Sequence, residues 1–117
     1  MERIAEKDEN ISQSVGIGAT ATLFTFQVPT KAKMLVTHFG NYIDIVAAWG
    51  LVTWRILKNG VGVSPYGAIL DQLGRSEEPR PIAPIKFNGG DVLTIPVTNG
   101  HGAAVQCGVA IKLEVMN

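Results

Sequence analysis

Residues 103–115 read Ala103-Ala104-Val105-Gln106-Cys107-Gly108-Val109-Ala110-Ile111-Lys112-Leu113-Glu114-Val115. Val105, Cys107, Val109, Ile111, Leu113 and Val115 share one parity, and Gln106, Gly108, Ala110, Lys112 and Glu114 share the other. A period of two sustained this long describes a strand with one buried face. A period of 3.6 would scatter the same six side chains around a helix. Immediately upstream lie Asn88-Gly89-Gly90-Asp91, the run Val92-Leu93-Thr94-Ile95-Pro96-Val97, and the turn Thr98-Asn99-Gly100-His101-Gly102. Strand, turn and strand in this order point to antiparallel β structure.

Further upstream the pattern repeats. Leu23-Phe24-Thr25-Phe26-Gln27-Val28 alternates, with Phe24, Phe26 and Val28 on one side, and stops at Pro29. Met34 to Phe39 forms the next strand, on which His38 shares parity with Met34 and Val36. Leu51 to Lys58 places Val52, Trp54 and Ile56 on one face and ends at Asn59-Gly60, a dipeptide suited to the positive φ angles of a tight hairpin. Val61 to Ser64 is the short return strand. Residues 42–50 are ambiguous, and Ala68 to Leu73 fits one helical turn or a short strand. Arg75-Ser76-Glu77-Glu78-Pro79-Arg80-Pro81 is a charged loop. Pro84 implies an edge position, or a strand that begins at Ile85, and Pro96 implies a bulge or an edge.

The expected architecture is an all-β, antiparallel sandwich or barrel of seven to eight short strands. Its expected core comprises Phe24, Phe26, Val36, Val52, Trp54, Ile56, Phe87, Leu93, Ile95, Val109 and Ile111. Residues 1–14 hold six of the twenty charges and show no sustained period, so they are expected to form an extended N-terminal arm. Residues 15–117 then make the single folded domain.

The bulk composition narrows the function classes. A chain of 117 residues has room for one domain with a core that needs neither metal nor disulfide. Ten basic and ten acidic side chains give no net charge, which disfavours nucleic-acid binding as a main task. A neutral surface with few charges favours association. The single cysteine, Cys107, excludes an intrachain disulfide and reads as a small buried hydrophobe. No stretch approaches the ~20 apolar residues of a membrane span. The polar start lacks the apolar core of a secretory signal, so the expected location is the cytoplasm of the producing cell, or something assembled there.

No motif carries convincing chemistry. Gly16-Ile17-Gly18-Ala19-Thr20-Ala21 matches a loose dinucleotide pattern, but a charged segment precedes it and a Phe-rich β run follows, where a strand and a helix are needed. His38 and His101 are too few and too far apart for zinc. Ser64, His38 and Asp44 make a triad only by free choice, because no nucleophile elbow is present. Trp54 reads as core. Trp49, beside Gly50, fits the core, an interface or a ligand platform, and Tyr42 and Tyr66 are equally open.

The succession Pro29–Lys33, Val52–Gly60, Phe87–Asn99 and a long final strand resembles a viral single jelly roll. Over residues 20–116 the chain is similar to small decoration (cement) proteins of tailed bacteriophage heads, and more distantly to trimeric jelly-roll heads of phage fibres and spikes. The resemblance implies a non-enzymatic virion protein without cofactor or metal. Such a protein forms homotrimers on the major capsid protein and clamps neighbouring subunits at the capsid surface, after assembly in the host cytoplasm. Its arm would lie along the capsid or exchange with a neighbour, which makes Arg3, Ile4, Lys7 and Ile11 interface candidates beside Tyr42, Trp49 and Tyr66. Two alternatives remain: a carbohydrate- or receptor-binding module using exposed aromatics on a glycan, and a small jelly-roll enzyme.

Overall fold

A computed structural model describes residues 3–74 and 78–116, the side chains of residues 3–8 excepted. Its strands are β1 (Arg3–Val15), β2 (Thr20–Gln27), β3 (Lys33–Ile43), β4 (Val52–Trp54), β5 (Leu57–Lys58), β6 (Val61–Gly62), β7 (Arg80–Asn88), β8 (Val92–Asn99) and β9 (Val105–Met116). Among the described residues the one helical element is a 3-10 turn, Val46–Ala48. All pairings are antiparallel. One sheet has the order β1-β9-β3-β7, and the other β2-β8-β5-β6 with β4 also on β8.

The long C-terminal strand occupies the centre of its sheet, between β1 and β3. Its odd residues from Val105 to Val115 are all buried, as the alternation requires. The second sheet presents Val52, Trp54, Ile56, Leu93, Ile95 and Val97 to the same core, all fully buried. Trp54 is the largest of these, and its indole N–H donates to the Gly108 carbonyl across the sandwich at 3.1 Å. Phe39, Phe87 and Met34 are likewise fully buried in the same core cluster.

Three features depart from the sequence-based expectation. The first is the arm. Residues 3–15 form an edge strand in register with β9, from Ala5↔Val115 to Val15↔Val105. An edge strand is held by backbone hydrogen bonds along one side, so it needs no apolar alternation. Inward positions such as Glu9, opposite buried Ile111, are polar in the manner that keeps edges from pairing with other chains. The expected boundary at residue 14 therefore falls inside a strand.

The second is the strand count, nine rather than seven or eight. β1 adds one. In addition, Leu51–Lys58 divides into β4 and β5, although both keep one register on β8, from Val52↔Asn99 to Lys58↔Leu93. The break lies opposite Pro96. The Arg55 N–H reaches the Pro96 carbonyl at 3.1 Å, but proline has no N–H with which to return the second bond. On its other side β2 bulges at Leu23, between Thr22↔Pro96 and Phe24↔Ile95. Pro96 thus sits at a bulge in an interior strand, not on an edge.

The third is a parity change in β3. The register on β9 shifts between Val36↔Leu113 and His38↔Lys112. This bulge at Thr37 turns His38 outward and brings Phe39, Asn41 and Ile43 inside, all buried. Phe24 and Phe26 do face the core, opposite Ile95 and Leu93, but on the edge strand β2 they are only half-buried. β7 is an edge strand, as Pro84 implies, and its pairing with β3 is irregular between Ile85 and Pro81.

Candidate functional site

The antiparallel order sorts the connections into two ends. One end carries three tight turns: 28–32, 59–60 and 89–91. The hairpin at Asn59-Gly60 has φ angles of 53° and 82°, as that dipeptide predicts. Asp91 ties this end together. Its carboxylate accepts from the Asn59 amide at 3.0 Å and the Asn88 backbone N–H at 2.8 Å. These bonds hold the Asp91 carboxyl below the usual carboxylate range. The Asn59 side-chain oxygen in turn accepts from the Val92 N–H at 2.9 Å.

The other end carries the connections 16–19, 44–51 and 100–104 and the described residues between β6 and β7, 63–74 and 78–79. Its organiser is Asn99, fully buried. The Asn99 amide donates to the carbonyls of Val15, Gly16 and Ala103 at 3.0, 3.3 and 2.8 Å. Its side-chain oxygen accepts from the His101 N–H at 2.8 Å. The neighbouring backbone continues the linkage: Gly18 N–H to Asn99 O, Gly100 N–H to Leu51 O, and Gly50 N–H to Leu70 O, at 2.9, 2.8 and 3.2 Å. This chain of bonds draws four exposed apolar side chains to one end, Val46 (82%), Ile17 (68%), Leu51 (49%) and Leu70 (43%). Val61 (69%), the other large exposed apolar residue among those described, lies beside the opposite turns.

The segment 63–74 is irregular but firmly held. Trp54 and Ile69 exchange backbone hydrogen bonds at 2.9 and 2.7 Å. The Arg55 guanidinium donates to the Gly67 carbonyl at 3.0 Å. Asn41, fully buried, donates to the Asp71 carbonyl at 3.1 Å and accepts from the Leu73 N–H at 2.9 Å. Gly74 is required by close packing, since a Cβ there would lie 2.7 Å from the Phe39 carbonyl oxygen. Two adjoining clefts open beside this segment, of about 270 Å³ and about 190 Å³. Both are lined by Tyr66 and Leu73. Asp71 lies on the rim of the larger and Arg80 on that of the smaller.

The aromatic candidates are dispersed. Trp49, half-buried, stacks on Trp54 with ring centroids 5.4 Å apart, so it belongs mainly to the packing. Tyr42 stands opposite Gly108 on the outer side of the first sheet, and its ring covers the space a side chain at Gly108 would fill. Tyr66 lines both of the clefts described above. Ile11 is half-buried opposite Val109. The backbones of Arg3, Ile4 and Lys7 fall in β1, while their side chains lie outside the described part of the structure, as do Arg75, Ser76 and Glu77 of the charged loop. The residues that the sequence reading missed are Asn41 and Asn99, which resemble ordinary turn asparagines, and the exposed apolar set at the loop end. A signal for the latter was present in Val46-Ala47-Ala48, too small and irregular for a confident strand.

His38 and Asp44 each have a partner outside the freely chosen triad. The His38 ring nitrogen Nδ1 lies 2.9 Å from the Thr37 hydroxyl, and the Asp44 carboxylate accepts from the Gln106 N–H at 3.0 Å. Burial, with a contribution from the Asp44 carboxylate, pushes the Cys107 thiol up to about 11, which keeps it protonated and unreactive near neutrality. Among the described residues no three His, Cys, Asp or Glu side chains gather as a metal site would require. No protein-family model matches the chain, and comparison with curated proteins finds no match.

Proposed function

We propose that this protein is a jelly-roll decoration protein of a tailed-phage head, acting without catalysis as a homotrimer on the major capsid protein. Two properties support the jelly-roll reading. Successive strands alternate between the sheets around the β4–β5–β6 hairpin, and the orders β1-β9-β3-β7 and β2-β8-(β4, β5)-β6 are those of an eight-stranded roll once β4 and β5 count as one strand. The single observation that carries the docking reading is the loop end, where Ile17, Val46, Leu51 and Leu70 remain exposed on a rigid, hydrogen-bonded base. Isolated exposed apolar residues are ordinary, but several on linked loops at one end make a surface suited to burial against a partner. Avidity from three copies then strengthens a modest contact.

The test has two stages. Native mass across a concentration series is expected to give a trimer that resists dilution. Co-sedimentation with undecorated heads of the phage that encodes the chain is then expected to fail for Val46→Asp combined with Leu51→Asp. Their stability should change by no more than about 0.5 kcal/mol each, as for exposed positions generally. Wild-type head binding by the folded double variant would rule out the loop end as the docking surface.

A further inference from the structure

We propose that the double cleft around Tyr66 binds two consecutive pyranose residues of a polysaccharide without cleaving them. This inference does not rest on the head-docking reading, although Leu70 of the exposed apolar set also lines the larger lobe. The two lobes, about 270 Å³ and about 190 Å³, meet at Tyr66 and Leu73. Each is smaller than the roughly 300–1,000 Å³ of a drug-sized pocket, so each suits a ligand of about one ring. Continuity across Tyr66 suits two linked rings better than two separate small molecules.

The chemistry of the lining selects a sugar. Tyr66 is half-exposed and lines both lobes, which places an aromatic side chain where the C–H face of a pyranose can stack. Exposed Asp71 on one rim offers acceptors, and exposed Arg80 on the other offers a planar set of donors. Ring hydroxyls at the two ends of a disaccharide can use both. The floor is preorganised by the paired Trp54 and Ile69 backbones and by buried Asn41, so little chain entropy is lost on binding. Hydrolysis needs a second carboxylate facing the first. Asp71 is the only carboxylate among the described lining residues, so the cleft as described lacks the pair for cleavage.

The experiment screens the full chain on an array of pyranose disaccharides and purified bacterial surface polysaccharides, followed by saturation-transfer NMR on the oligosaccharides retained. At least one is expected to bind. Tyr66→Leu, which keeps apolar bulk but removes the aromatic face, is expected to weaken it at least tenfold. Asp71→Asn and Arg80→Ala are expected to weaken it severalfold with unchanged melting curves. The Val46→Asp and Leu51→Asp variant is expected to retain it, separating this site from head docking. Failure of every saccharide to bind, or binding that survives Tyr66→Leu in a folded protein, overturns the proposal.

Discussion

The two ends of the sandwich are built by opposite means. At the turn end, short connections are held by exposed hydrogen bonds centred on Asp91, and its glycines have the backbone angles or clearance that tight turns demand. At the loop end, which includes the two longest connections, the chain is held by buried amides, with Asn99 and Asn41 each satisfying several backbone groups. The difference has a physical cause. A two-residue turn satisfies itself, whereas a long loop exposes backbone groups that must find partners or water. Meeting that need from within leaves the outer surface of the loop end free to carry apolar and aromatic side chains.

The comparison can be broken most severely at Trp54, which joins the 63–74 segment to Gly108 across the core. Trp54→Ala is expected to cost about 3–5 kcal/mol, as other large core truncations do. Chemical denaturation measures it, and a near-zero change would remove Trp54 from its place as the keystone of the loop end. Asn99→Ala comes next. It leaves the buried Val15 carbonyl and the part-buried Gly16 and Ala103 carbonyls without that donor, at about 2–3 kcal/mol in all. Hydrogen exchange should accelerate in the 16–19 and 100–104 connections while the 28–32 and 89–91 turns stay protected; uniform acceleration would mean that Asn99 supports the whole fold rather than one end.

The smallest effect is at the turn end. Because the folded Asp91 carboxyl lies below its ordinary value, its contribution is present above the usual carboxylate pKa of about 3.9. It is lost as pH falls through the lowered folded value. Asp91→Asn is therefore expected to lower the melting temperature slightly at pH 7, where the contribution is complete, and to converge on wild type as pH falls below about 4, which flattens the acid limb. An acid limb identical to wild type would show that the Asp91 network contributes nothing measurable in solution.

Much of the fold was legible in the chain. Strands β8 and β9 and the Asn59-Gly60 hairpin follow from alternation and turn chemistry alone, because one face of each strand meets a core and the other meets solvent. β1 was not legible. Its pairing with β9 runs through the backbone, and Glu6-Lys7-Asp8-Glu9 carries no sign of it. Phe39 was missed because the bulge at Thr37 reverses parity in mid-strand, and a single extra residue leaves no mark in the pattern. Of the candidate site only Tyr66 was singled out in advance. Its partners Asp71 and Arg80 are separated along the chain and meet one cleft system only through folding.

The sequence by itself determined an antiparallel β protein with a Trp54-centred core, since burial of alternating apolar side chains is a local property that the chain order records. Only the tertiary structure decided that the charged N-terminal segment closes a sheet, that Asn41 and Asn99 are buried supports, and that the apolar side chains gather at one end. Those outcomes depend on which distant backbone groups satisfy one another, and hydrogen-bond partnership across eighty residues has no periodicity to read.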